Sequence, residues 1–122
     1  MANEDKKIFI CDDDQGILDV LEIILESQGY MIFKEIDSTL LFNKLKEEKG
    51  DLLLLDLWMP VLSGHELINI IRKDPQTKKL PIIVLSASRN EKDMALNAGA
   101  NQFISKPFDM DEIITSVEKI IK

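Results

Sequence analysis

Acids, a hydroxyl and an amine each follow a short apolar run in this chain. Asp12, Asp13 and Asp14 follow "KKIFIC", Asp56 closes "DLLLLD", Ser86 closes "IIVLS", and Lys106 lies between "QFIS" and Pro107. Asp56 raises the sharpest question, because a carboxylate among leucines is costly to bury unless a cation or hydrogen-bond donors meet it. Two carboxylates brought within about 4 Å repel by roughly 4 kcal/mol at an effective dielectric of about 20, and a third adds comparable terms. One lysine does not offset that sum. A divalent cation does, and Mg²⁺ is the natural candidate because it takes a few carboxylates together with waters and phosphate oxygens. The chemistry these residue types suit is therefore phosphoryl transfer. Acids would hold the metal, Lys106 and the Ser86 hydroxyl would meet phosphoryl oxygens, and one carboxylate would remain to attack phosphorus.

Such a site requires elements that deliver these groups to one place. "KKIFICDDD" reads as a strand ending in acids. It is followed by Ile17, Val20, Leu21, Ile24 and Leu25 at the spacing of one helix face, up to Gly29. "YMIFKEI" is a second strand, and a helix fits from Asp37–Ser38 to Lys49–Gly50 with Leu41 and Leu45 on one side. Leucine alone does not separate strand from buried helix over 51–56, but its shortness, Gly50 before it and Pro60 after it favour a strand. "SGHE" is a capping box opening a helix with Leu67, Ile70 and Ile71 inward, ending at "DPQTKKLP". "IIVLS" is the fourth strand. A weaker helix from about Asn90 to Asn97, with Met94, Ala95 and Ala98, ends at Gly99. "QFIS" is the fifth strand, and "DMDE" supplies a capping box for a last helix bearing Ile113, Ile114, Val117, Ile120 and Ile121. Alternating strands and helices with short connections predict an α/β domain, a doubly wound five-stranded parallel sheet with five helices. Ligands of such sheets bind beyond the carboxyl ends of the strands, where the acids, Ser86 and Lys106 fall.

Composition narrows the function further. With 122 residues the chain fits a single domain over 1–122, and 22 acidic against 15 basic residues give a net charge of −7 with no basic patch, which argues against direct nucleic-acid binding. The lone Cys11 has no partner for an internal disulfide and suits a small buried strand position in a reducing, cytoplasmic setting. "MANEDKK" lacks a signal-peptide hydrophobic region, and no apolar run approaches membrane-spanning length.

Four motifs in order, "CDDD", "DLWMP" with Gly64 four residues past the proline, "LSAS" and "SKPF", make the chain resemble the receiver domain of two-component response regulators over nearly its whole length. The resemblance implies a flavodoxin-like (βα)5 fold with strand order 2-1-3-4-5. It also implies that Asp56 accepts a phosphoryl group from a phosphohistidine of a partner histidine kinase or histidine phosphotransfer protein. Asp13 would bind Mg²⁺ directly, with Mn²⁺ an acceptable substitute. Asp12 would act mainly through water, and the Trp58 carbonyl would complete the protein ligands. Lys106 would pair with Asp56 and then with the phosphate, Ser86 would swing to the new phosphoryl group, and Phe103 would turn inward in response. That change would alter the partner preference of the face made by the fourth helix, fifth strand and fifth helix. A cis Lys106–Pro107 bond is also implied. Ser86 stands where threonine is more usual and Phe103 where tyrosine is frequent, while Trp58 occupies a position that tunes how quickly the phosphoryl group is lost.

Each residue alone has an ordinary structural reading. Asp12 to Asp14 suit a helix N-terminus, with Asp14 the best cap. Lys106 alone is a surface lysine, Ser86 a strand-end hydroxyl, Phe103 a core aromatic, and Trp58 equally an exposed loop aromatic or an interface anchor. His65, the only histidine, is expected to be solvated and leaves a histidine metal cluster or a Ser-His-Asp triad little to build on. The joint pattern favours a signalling module that catalyses its own phosphorylation and dephosphorylation rather than an enzyme on a separate substrate. A receiver-like scaffold that is never phosphorylated usually lacks an acid or the lysine, and none is missing. A Mg²⁺-dependent aspartyl-phosphate phosphatase would require an acid where Trp58 stands. A flavin or nucleotide module would carry glycines and hydroxyls in place of Asp12 to Asp14.

Overall fold

A computed structural model of the protein describes residues 6–121. Residues 1–5, part of the stretch read above for a signal peptide, lie outside them. The elements in chain order are β1 (Lys7–Cys11), α1 (Gln15–Glu26), β2 (Met31–Glu35), α2 (Ser38–Glu48), β3 (Leu52–Asp56), α3 (Gly64–Lys73), β4 (Ile82–Ser86), α4 (Lys92–Ala98), β5 (Gln102–Ser105) and α5 (Met110–Ile121). The five strands form one parallel sheet in the order β2-β1-β3-β4-β5, as the flavodoxin-like reading requires.

β3 shows how the sequence builds two cores from one leucine run. Side chains alternate across a strand, so Leu53 and Leu55 join Phe9, Cys11, Ile82 and Val84 beneath α2, α3 and α4. Leu52 and Leu54 join Ile8, Ile10, Ile83, Leu85 and Ile104 beneath α1 and α5. All five β3 residues are buried, which is why its four leucines form an unbroken apolar run up to Asp56 rather than an alternating one.

Helix boundaries follow their caps. Asp14 accepts the Gly16 and Ile17 N–H groups at 2.8 and 3.3 Å and so starts α1. Ser63 and Glu66 form the reciprocal capping box of α3. At the start of α5 the described contact is the Ile113 N–H donating to the Asp109 carbonyl at 3.2 Å, rather than the side-chain capping box expected there.

The structure corrects several inward-facing assignments. In α1 the buried residues are Leu18, Leu21, Ile24 and Leu25, while Val20 is 48% exposed. The helix is apolar on more than one side, so 17-20-24 and 18-21-25 satisfy the same spacing and only contact with the sheet chooses between them. For the same reason Ile68 rather than Ile70 is buried in α3. The fourth helix begins at Lys92 after a single 3-10 turn over Arg89–Glu91, and Met94 faces outward. No helix among the described residues is long and apolar enough to cross a membrane.

Candidate metal and phosphoryl site

Strand periodicity decides which reactive groups share a side of the sheet edge. Asp56 continues the alternation of Leu52 and Leu54, toward the α1 and α5 side. Asp12 and Lys106, one residue past their strands, continue Ile8–Ile10 and Ile104 on that same side. Ser86 continues Ile82 and Val84 on the opposite face, where Phe103 also packs.

The Asp12, Asp13 and Asp56 side chains each bring one carboxylate oxygen within 4.8 Å of the others. Asp12 and Asp56 are buried and Asp13 is exposed. The Lys106 ammonium donates to Asp12 Oδ2 at 2.9 Å and to Asp56 Oδ1 at 3.3 Å. The other Asp12 oxygen accepts the Asp14 N–H at 2.9 Å, which turns the first acidic loop around it.

The charges do not balance. Burial first, and then the Asp12 charge, push the Asp56 carboxyl up to about 6, against the pull of Lys106 and the Trp58 backbone N–H. For Lys106, burial works to lower the ammonium's pKa, but the hydrogen bond and charge of Asp12, followed by those of Asp56, outweigh it and the net shift is upward. Three carboxylates are thus gathered beside one ammonium, which contacts two of them, Asp12 and Asp56. An all-oxygen donor set with surplus negative charge and one exposed member open to solvent fits a hard divalent cation such as Mg²⁺.

Around this cluster, Gly64 lets α3 start directly against the strand end. A Cβ there would lie 2.5 Å from the Asp56 carbonyl oxygen and 2.8 Å from Leu57 Cα, both backbone atoms. Trp58 is 61% exposed. Ser86 is fully buried, its Oγ accepts the Ser88 N–H at 3.2 Å, and its carbonyl accepts the Lys106 N–H at 2.9 Å. Phe103 is partly buried beside Val84 in the sheet register. The Lys106–Pro107 peptide is cis. Cys11 is buried with Sγ 3.6 Å from the Met59 sulfur, and burial pushes its thiol up to about 12, so it offers no thiolate.

Two features near this edge were not anticipated. Glu35, at the end of β2, is buried, accepts the Asp37 N–H at 2.9 Å and pairs with Lys44. Its place at a strand end was the available signal. His65 is half-buried with Nε2 3.3 Å from a Glu91 carboxylate oxygen, contrary to the solvated position expected, because the turn before α4 lies against the first turn of α3.

The chain is similar in sequence and fold to known proteins. The family model for the response regulator receiver domain matches residues 8–118. A response regulator from Aneurinibacillus migulanus, GtcR, is 35% identical over 115 residues, covering 93% of this chain and 46% of that protein, so the chain spans about half the length of this curated relative. The receiver domain of the Francisella response regulator 1452 superposes with a TM-score of 0.87 at 30% identity, covering 95% of this chain and 96% of that one. The receiver domain of the sensor histidine kinase PA1611 from Pseudomonas aeruginosa, whose structure holds a magnesium ion in the active-site cleft, superposes with a TM-score of 0.88 at 27% identity and covers 95% of this chain and 97% of that one. The strand order, the acids gathered beside a lysine and the match over nearly the whole chain lead to one conclusion: the chain belongs to the response regulator receiver domain family of two-component signalling.

Proposed function

We propose that Asp56 is the phosphoryl acceptor of this receiver. The observation that carries the reading is the shared contact of Lys106 with Asp12 and Asp56, beside an Asp13 that stays open to solvent. Asp12, Asp13, Asp56 and the Trp58 carbonyl would hold magnesium, which when bound neutralises the clustered acids and the oxygens of an arriving phosphoryl group.

In the transfer, an ionised Asp56 oxygen attacks the phosphorus of a phosphohistidine on a partner kinase or phosphotransfer protein. The O–P bond forms as the P–N bond breaks, and the imidazole leaves with the electron pair and regains a proton from solvent. Lys106 holds the acceptor before transfer and compensates the added negative charge afterward. The buried Ser86 hydroxyl, whose oxygen accepts the Ser88 N–H, turns to donate its own proton to a phosphoryl oxygen, and Phe103, on the same face as Ser86, follows it. The protein contacts of α4, β5 and α5 change with it. Hydrolysis of the acyl phosphate by water returns the switch, so the chain acts on itself rather than on a separate substrate. A recess of about 420 Å³ lined by Ile17, Ala87, Lys106, Pro107 and Phe108 gives a protein donor an apolar foothold beside the lysine.

Incubation with acetyl phosphate and Mg²⁺ tests this reading. One phosphoryl group should be gained per chain, its uptake slowed sharply when divalent cation is withheld. An unchanged mass in the presence of both counts against it.

A further inference from the structure

At the end of the sheet opposite Asp56, between the last turn of α2 and the segment joining α3 to β4, lies a cavity of about 540 Å³. Leu45, Leu80 and Pro81 give it an apolar floor, and Lys46, Lys49 and Lys79 stand around it. The lysines are not equivalent. Lys46 is committed to Asp74 at 2.9 Å and lies over the Phe42 ring, whereas among the described residues Lys49 and Lys79 have no carboxylate partner. The one acid in the lining, Asp51, accepts the Lys7 backbone N–H at 2.8 Å.

The walls are fixed before anything binds. Arg72 donates to the carbonyls of Lys78, Leu80 and Gly99 and pins the α3–β4 segment. The buried Thr77 hydroxyl donates to the Ile71 carbonyl at 2.7 Å, and the two Asp74 carboxylate oxygens accept from Gln76 and Lys46. On α2, the Lys49 N–H closes onto the Leu45 carbonyl at 2.9 Å. A preformed concavity of this size is in the range that encloses small molecules, and preorganisation lowers the ordering cost of binding. In a chain of net charge −7, two uncommitted ammoniums beside apolar surface select for an anion.

We propose that this cavity binds a small amphipathic anion, its aromatic or short aliphatic body on Leu45, Leu80 and Pro81 and its acidic head met by Lys49 and Lys79. The site is independent of the phosphoryl-acceptor reading and uses none of its residues.

Titration of the full chain with 8-anilinonaphthalene-1-sulfonate, followed by two-dimensional amide NMR, tests the proposal. Shifts should centre on Gly50, Gln76, Thr77 and Leu80. Affinity should fall by roughly tenfold or more in Lys49→Glu/Lys79→Glu, whose unaltered remaining spectrum would certify its fold, and persist in Lys49→Arg/Lys79→Arg. The neutral analogue N-phenyl-1-naphthylamine should bind more weakly and ignore both pairs of substitutions. Decanoate and 1-naphthyl phosphate, titrated in the same way, distinguish a carboxylate from a phosphate head, and either one binding here supports the site. Absence of shifts at these amides, shifts centred instead on Ile17 and Phe108, or an affinity unmoved by charge reversal overturns it.

Discussion

Lys106 reaches the Asp56 carboxylate at 3.3 Å across the end of β4, the strand that separates their own in the sheet. The same ammonium lies closer to Asp12, at 2.9 Å, so Asp56 receives the weaker share of the only cation in contact with it among the described residues. Several properties of the protein follow from this unequal division.

Without divalent cation, ionised Asp56 should destabilise the fold. Its folded-state carboxyl is raised to about 6 by burial and then by Asp12, so the folded chain binds that proton more tightly than the unfolded chain does. Its contribution therefore opposes folding at neutral pH and is relieved as pH falls through about 6. Asp56→Asn should be more stable than the parent at pH 7.5 by on the order of 2 kcal/mol in urea unfolding, with the gap closing toward pH 4. An asparagine variant less stable at pH 7.5 would contradict this.

Magnesium should reverse that ordering. A cation that binds only the folded state adds about 2.7 kcal/mol at a hundred times its dissociation constant, visible as a higher thermal midpoint that EDTA abolishes. Asp13 is exposed, so Asp13→Ala should unfold at nearly the parental temperature without metal yet gain little from adding it. Equal gains in the two proteins would remove Asp13 from the metal site.

Gly64→Ala should damage the site more than its size suggests. The added methyl meets the Asp56 carbonyl oxygen and Leu57 Cα, and backbone cannot rotate away as a side chain would. A loss of about 1–3 kcal/mol is expected, together with slower phosphoryl uptake at temperatures where the variant remains folded. Uptake at the parental rate would show that the start of α3 does not position Asp56.

Arg72→Lys should do the opposite. The guanidinium serves the carbonyls of Lys78, Leu80 and Gly99 and the Asn101 side chain from one planar fork, which an ammonium cannot reproduce. Stability should drop by roughly 2 kcal/mol, while phosphoryl uptake below the unfolding transition stays unchanged. Selective loss of uptake would place Arg72 in the reaction.

Much of this organisation was legible locally. Short β-branched or leucine runs ending in Asp12, Asp56, Ser86 and Lys106 located the strand ends, and parallel topology then placed those ends on one edge. Ser63 and Glu66 announced α3 through a capping box that local spacing alone determines. What stayed hidden depends on partners distant in sequence. Nothing near Arg72 signals that its acceptors lie at 78, 80, 99 and 101, and nothing near His65 points to Glu91. The inward stripe of α1 was ambiguous because Val20 and Leu18 both fit a helical period, and only docking on the sheet exposes one and buries the other. Within the candidate site, the gathering of Asp12, Asp13, Asp56 and Lys106 at one edge was readable but the preference of Lys106 for Asp12 was not, since it depends on tenths of an ångström between side chains.

The most direct measurement is to locate the phosphoryl group itself. After labelling with acetyl phosphate and Mg²⁺, borohydride reduces an aspartyl phosphate to homoserine, which peptide mass spectrometry can place in the chain. Homoserine at position 56, absent from Asp56→Asn and strongly reduced in Lys106→Ala despite a native spectrum, is the predicted result. Homoserine at another acid, or none in a protein that has gained a phosphoryl group, would contradict the assignment of Asp56 as the acceptor.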